Sequence, residues 1–252
     1  MILQKYRETE NTMAHCTPYR AVVSAAALFF FISGLYANPE SADEASLPTT
    51  ELRFLLFYDR TEVSELDLKT GESSYLPIRG ATSSLSQPYH APLQPNWRLG
   101  RMIPTCCGAP DFTPRAEAEA LEASQQLLVV FRPEDAVEDE LDLVVVDGSA
   151  PAFSGGDYLF VNLTDTPILG IIGEAKLSLD PGSHQVAKTA PSEQRGERAV
   201  CYIRLAYLDE AATAKPFFTS EWRYSKTSRT ITLFYKDPRT GKLRLHVVHD
   251  YL

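Results

Sequence analysis

After a polar stretch, NPESADEASLPTT, the chain alternates short apolar runs with turn residues and almost nowhere holds a helical period for long. Runs of this length, rich in β-branched and aromatic residues and bounded by Gly, Pro, Asn and Asp, predict strands. LRFLLFY (52–58) puts Leu52, Phe54, Leu56 and Tyr58 on one face and Leu55 and Phe57 on the other. Both faces are apolar, so this strand belongs at the centre of a packed body. LLVVF (127–131), LDLVVV (141–146), DYLFVNL (157–163), VCYIRLAYL (200–208) and FFTSEWRY (217–224) are likewise of strand length and composition.

Three turns punctuate the pattern. Lys69-Thr70-Gly71-Glu72 separates two alternating runs, with Gly71 offering the positive φ of a tight hairpin. In KLSLDPGSHQV, Pro181 and Gly182 take the central positions of a type II turn and predict a second hairpin. The clearest hairpin is TITLFYKDPRTGKLRLHVV, where alternation predicts that Ile231, Leu233 and Tyr235 face Leu243, Leu245 and Val247. RAEAEALEASQQ (115–126) combines helix-forming residues with a period of two, which leaves a short helix and an edge strand both open. ATSSLSQPYHAPLQPN (81–96) carries three prolines, which exclude a central strand and predict a long loop.

The pattern as a whole predicts an all-β fold of roughly 14 strands, built as antiparallel β-sandwiches of immunoglobulin-like type. These form either two packed domains or one larger two-sheet body. GSAPAFSGG (148–156) is the natural divide, giving β-rich regions at 51–148 and 149–252 as a first and a second sandwich. Read instead as a long hairpin loop, the same segment has Phe153 as its anchor. No clear internal repeat shows along the chain.

The amino-terminal 37 residues stand apart from this pattern. A basic stretch ending at Arg20 leads into AVVSAAALFFFISGLYA, short for a bilayer span and closed by small Ala37, so residues 1–37 are expected to be a secretory signal peptide. Leu35 is imperfect three residues before that cut, and a retained anchor is the alternative. Cleavage leaves residues 38–50 as a polar lead and no stable membrane span. The protein is then expected to be exported, periplasmic or extracellular. The full sequence carries a net charge of −9, and the part that cleavage leaves, with 21 basic and 31 acidic residues, carries −10, which disfavours nucleic acid as a partner.

GDYLFVNLTDTPILGIIGEAKLSLDPGS (156–183) resembles a family of uncharacterised, predicted-secreted bacterial β-rich envelope proteins with immunoglobulin-like folds. The matching residues are Asn162, Leu163, Thr164, Pro167, Pro181 and Gly182, followed by Trp222 and the closing hairpin, over roughly residues 141–252. The resemblance implies secretion and a β fold, and it carries no activity.

Candidate chemistry is sparse. Cys106 and Cys107 are adjacent, and Cys201 alternates with Ile203, Leu205 and Tyr207 on the core face of its strand. In an oxidising compartment this predicts a disulfide from Cys201 to Cys106 or Cys107, with a vicinal bridge or a reactive or metal-binding pair as alternatives. HVVHD (246–250) has the residue types of a zinc site, but residues three apart on a strand point to opposite faces, with His246 expected outward beside Arg244. PEDAVEDELD (133–142) offers the oxygen ligands of an extracellular calcium site or reads as a solvated turn. Asn162-Leu163-Thr164 matches the glycosylation sequon, although a strand exit makes Asn162 a backbone-bonding residue. Tyr89, His90 and Trp97 flank the proline-rich loop and could stack on a sugar or peptide, unless Trp97 packs into the core.

GxSxG, HExxH, a P-loop and a GxGxxG following a strand are all absent. No metal or cofactor is expected. The reading is a secreted, non-catalytic adaptor or binding module of the bacterial envelope whose partner is an envelope protein or glycan. Two alternatives stand beside it: a hydrolase of envelope or extracellular polysaccharide, and a structural subunit of a surface assembly.

Overall fold

The computed structural model describes residues 48–252 except 58–63, 106–109, 135, 138 and 197. The expected leader (1–37), most of the polar lead and the Cys106-Cys107 pair lie outside the described residues. Residues 46–252 form one compact unit.

The described residues contain seventeen strands and no helix. The first eight are β1 (Thr49–Phe57), β2 (Ser64–Lys69), β3 (Tyr75–Gly80), β4 (Tyr89–Pro92), β5 (Asn96–Ile103), β6 (Asp111–Glu119), β7 (Gln125–Phe131) and β8 (Asp142–Asp147). They are followed by β9 (Tyr158–Asn162), β10 (Ile168–Ile172), β11 (Ala175–Leu179), β12 (His184–Ala187), β13 (Glu193–Arg195), β14 (Arg198–Leu208), β15 (Ala214–Tyr224), β16 (Ser228–Lys236) and β17 (Leu243–Tyr251). The all-β sandwich class read from the sequence is thus the class observed. The ambiguous segment after Arg115 resolves as edge strand: its alternating Ala residues turn toward the core, and Pro114 is tolerated because an edge needs no N–H there.

The strands form four sheets, with orders β3-β2-β5-β6, β4-β1-β7-β8, β12-β9-β16-β17 and β11-β10-β14-β15, the last extended by β13 on the β10 side of β14. The two halves therefore repeat one topology, strand for strand, once β13 is set aside. In each half, one sheet carries a parallel pair at its centre, β1 with β7 and β9 with β16. The repeat extends to an irregularity. Register shifts at Leu99/Gly100, where Gly100 faces Pro114, and at Leu205/Ala206, where Ala206 faces Pro216. Each shift directly follows an Arg-Leu pair, Arg98-Leu99 and Arg204-Leu205.

Burial shows how the sheets stack. One apolar layer joins β2, β3, β5 and β6 to β1, β4, β7 and β8 through residues such as Leu68, Trp97, Phe54 and Leu128. A second joins the other faces of β1, β7 and β8 to β9, β16 and β17 through Leu55, Val129, Leu159, Ile231 and Val248. A third joins β9 and β16 to β10, β11 and β14 through Phe160, Phe234, Ile168 and Ile203. Two inner sheets thus pack face to face between two outer ones, which is why LRFLLFY and DYLFVNL are apolar on both faces. The connection between the halves is tethered by Phe153, fully buried in the second layer.

Three local expectations are corrected. Gly71 does not take a positive φ, because the β2–β3 loop is longer than a two-residue turn and closes through Thr70 N–H to Ser74 O (2.8 Å). Asp180-Pro181-Gly182-Ser183 is the expected turn, with Gly182 at φ 71° and Ser183 N–H bonded to Asp180 O (3.1 Å), yet it joins strands of different sheets and makes a corner rather than a hairpin. The closing hairpin β16–β17 pairs Ile231 with Val248, Leu233 with His246 and Tyr235 with Arg244. That is one residue away from the alternation-based register, because its loop, Asp237–Lys242, closes with Gly241 at φ 63°. A shift of one residue exchanges the faces of the whole strand. His246, Val248 and Asp250 consequently face the first half instead of pointing outward.

Asp250 is the polar centre of that contact. Its carboxylate is nearly buried and accepts both hydrogen bonds of an Arg53 guanidinium nitrogen (2.9 Å each) and one from Arg229 Nε (2.8 Å). Arg229 also donates to Gly148 O and Phe153 O (2.9 Å each) and lies over the Phe153 ring at 4.7 Å. One carboxylate thereby links β1, β16, β17 and the connection between the halves. Removing one partner of a buried charge network strands the others, at a cost of about 3–5 kcal/mol. We expect Asp250→Ala to lower the stability measured by urea unfolding by about that amount, and by clearly less in an Arg229→Met background. Equal losses in the two backgrounds would show that the groups are not coupled.

Candidate binding cleft

The aromatic surface expected from Tyr89, His90 and Trp97 is not formed. Trp97 is fully buried, its indole N–H donating to Gln126 Oε1 (2.8 Å), while Gln126 also exchanges hydrogen bonds with the Leu121 backbone (2.7 and 3.2 Å). Tyr89 packs edge-on against Phe54 (5.7 Å), and its hydroxyl bonds the Arg79 backbone. Only His90 is exposed, on β4 opposite Glu51. Alternation along β5 turns Trp97 inward with Leu99, and burying an indole of that size is worth more than displaying it.

The Cys201 disulfide is likewise not formed. Cys201 is a free, fully buried thiol in the third apolar layer, and its S–H donates to Ala190 O (3.6 Å). Cys106 and Cys107 lie outside the described residues. The residues that flank them, Ile103, Pro104, Thr105 and Pro110, are exposed at the end of the first outer sheet, whose inward side chains reach only the first apolar layer. Beside Cys201, burial pushes the Tyr158 hydroxyl far above the ordinary tyrosine range, with Cys201 contributing second. In a chain beginning at residue 38 with Cys106→Ser and Cys107→Ser, Cys201 is expected to stay unreactive toward dithiobis(nitrobenzoate) until denaturant is added. Full reaction in native buffer would contradict its burial.

The remaining motifs are structural. His246 and His249 bond different partners, Thr82 O (2.7 Å) and Thr230 Oγ1 (3.3 Å), and among the described residues no cluster of His, Cys, Asp and Glu could hold a metal. In the acidic stretch, Asp139 sits at φ 72° and is bound by Arg115 through Nε to its carbonyl and Nη2 to its carboxylate (2.7 Å each). Asn162 is fully buried. Its amide donates to Thr166 O (2.9 Å), Leu179 O (3.3 Å) and Asp180 O (3.2 Å) and accepts from Thr164, so the sequon serves as a corner clamp.

A different site emerges between the inner sheets. An open cleft of about 850 Å³ lies where β1, β7 and β16 end, lined from both halves. The repeat places equivalent positions on its two sides. Phe57, paired with Phe131, corresponds to Leu163, which follows the Asn162–Phe234 pair, and Phe131-Arg132 corresponds to Tyr235-Lys236. Its aromatic wall is compact: Phe57 meets Tyr235 edge-on at 5.1 Å and His246 in a tilted contact at 5.1 Å. A carbonyl only accepts, so His246 carries a proton on Nε2 and donates it to Thr82 O.

The two equivalent cations differ. Lys236 Nζ donates to Glu134 Oε2 (3.3 Å) and to Asp165 Oδ1, whereas Arg132 is exposed on the cleft wall with no hydrogen-bond or ion-pair partner among the described residues. The Tyr235 hydroxyl is also without a hydrogen-bond partner among them. Asp237 accepts from the backbone N–H of Arg239 (2.9 Å) and Thr240 (3.3 Å), and those bonds hold its carboxyl below the usual range. The Lys236 hydrogen bond, then that of Thr166, does the same for Asp165, while Asp165 raises Lys236. A glycosidase acid needs a carboxyl held above its usual range. These carboxylates are held below it or paired with lysine, so the arrangement suits holding a ligand better than protonating a leaving group.

No family model and no curated protein matches the chain. Among the described residues, no helix is long and apolar enough to cross a membrane.

Because the Asp165 carboxyl is lowered on folding, its contribution to stability is complete above the unfolded value and is lost as pH falls through the folded one. The pair is exposed, so the contribution is small. In a carbon-detected NMR titration, Asp165 should show a midpoint below 3.8, and Lys236→Met should move it upward. An unchanged midpoint would show that the pair does not persist in solution.

Proposed function

We propose that this chain is an exported, non-catalytic binding module of the bacterial envelope whose ligand seats in the cleft between its two sandwiches. The cleft carries the reading: its volume, apolar and aromatic floor and few unengaged polar groups match the general character of ligand sites. Export rests on the pattern of residues 1–37 and on the resemblance over residues 141–252. The polysaccharide-hydrolase alternative is less favoured, because Glu134, Asp165 and Asp237 are all engaged by lysine or backbone donors.

Rigidity supports a binding role. Phe131 and Tyr235 stand at or near the ends of strands that are buried on both faces, so packed sheets position the aromatic part of the wall, and the loops that follow those strands supply the rest. N-phenyl-1-naphthylamine, a neutral apolar fluorophore, should bind saturably to the full-length mature protein. Thr82→Trp, which adds bulk at the cleft wall, should weaken that binding by about tenfold or more, the equivalent of about 1.4 kcal/mol, with an unchanged urea midpoint. Undiminished binding in a stable variant would refute the cleft as the site.

A further inference from the structure

We infer that the ligand of this cleft is a neutral carbohydrate chain; the inference rests on the cleft being the binding site. Charge decides the class. Two cations, Arg132 and Lys236, and two carboxylates, Glu134 and Asp237, line the cleft, and Lys236 is already held by Glu134 and by Asp165 beside it. An anionic ligand would meet a single unengaged guanidinium within an acidic surround, on a chain of net charge −9. A cationic ligand would meet carboxylates already bonded to lysine or to backbone N–H groups. Neither sign of charge is well served.

What the cleft does offer is a mixture of donors and acceptors beside an aromatic wall. Arg132 donates only, and the Tyr235 hydroxyl both donates and accepts. Sugar hydroxyls each donate and accept, and so satisfy both kinds of group. The C–H faces of a pyranose ring are apolar and can cover the exposed part of the Phe57, Tyr235 and His246 cluster. The cleft is partly open, which leaves room for a chain to lie in it instead of demanding a single enclosed small molecule. The unequal engagement of Arg132 and Lys236 gives the two otherwise equivalent sides different hydrogen-bonding character and so fixes one direction for a chain whose two ends differ.

The test uses the mature protein on a microarray carrying both neutral and acidic oligosaccharides, followed by calorimetry with the strongest neutral glycan. Neutral glycans should be bound and should displace N-phenyl-1-naphthylamine. Tyr235→Phe and Arg132→Met should each weaken the glycan by about fivefold, the equivalent of one lost hydrogen bond. Tyr235→Phe should leave fluorophore affinity unchanged. Fluorophore binding that Thr82→Trp abolishes, together with no neutral glycan bound or only acidic ones, would overturn the carbohydrate assignment and leave the cleft reading intact. Loss of both would overturn the cleft reading itself. Neutral-glycan binding that Tyr235→Phe and Arg132→Met do not weaken would place the sugar elsewhere and also overturn the inference.

Discussion

Asp250 accepts from two guanidinium groups, one on each side of the contact between the inner sheets, and the rest of the molecule depends on that contact. Each half taken alone is a two-sheet sandwich with an apolar outer surface: Leu55, Leu127 and Val129 on one, Leu159, Ile231 and Leu233 on the other. Surfaces of this kind are not left in water. Apolar burial supplies the drive for the halves to meet, but it is non-directional and would tolerate several alignments. Arg229 holds Asp250 within its own hairpin, and Arg53 reaches that carboxylate only when the two halves are set opposite one another as observed, so the pair favours one alignment among those the apolar layer allows. Because Arg229 also bonds Gly148 O and Phe153 O, the same selection fixes the connection between the halves.

That alignment creates the cleft. Two parallel strand pairs, β1 with β7 and β9 with β16, bring equivalent positions from both halves to one edge of the central layer. Where the strands run out, the apolar layer ends in a gap walled by Phe57, Phe131, Leu163 and Tyr235 rather than in a closed seam. A ligand site at the junction of two sandwiches costs little fold stability, since its walls belong to strands that are buried for structural reasons anyway.

Much of the architecture was legible in the residues. LRFLLFY announced a strand covered on both faces, Pro181-Gly182 announced its turn, and Phe153 announced an anchor in the connection. The repeated topology was not legible, because what the halves share is chiefly a strand order and a burial pattern. The residues they do share, Arg-Leu before each bulge and a proline opposite it, are too short a match to stand out before the pairing is known. Trp97 allowed two readings, and its burial is the core-packing one. Its place beside a proline-rich loop suggested display, while its partner Gln126, which makes a buried indole tolerable, is 29 residues away and belongs to another sheet.

The site itself was hidden by one residue of register. Alternation alone cannot say where a hairpin loop closes, and a loop closed at Gly241 by the Asp237 carbonyl sets the pairing one position away from the simplest match. In the simplest match, His246 shares the outer face with Arg244, and Asp250 lies on that face too. In the observed one, His246 packs on Phe57 at the cleft, Val248 enters the central layer and Asp250 meets Arg53. The cleft's aromatic wall, the burial of the last strand and the ionic latch therefore have one cause. All three would be lost together if the hairpin closed on its simplest register, so the loop from Asp237 to Lys242 constrains the shape of the cleft and the stability of the fold jointly, although Arg239 and Thr240 within it are exposed.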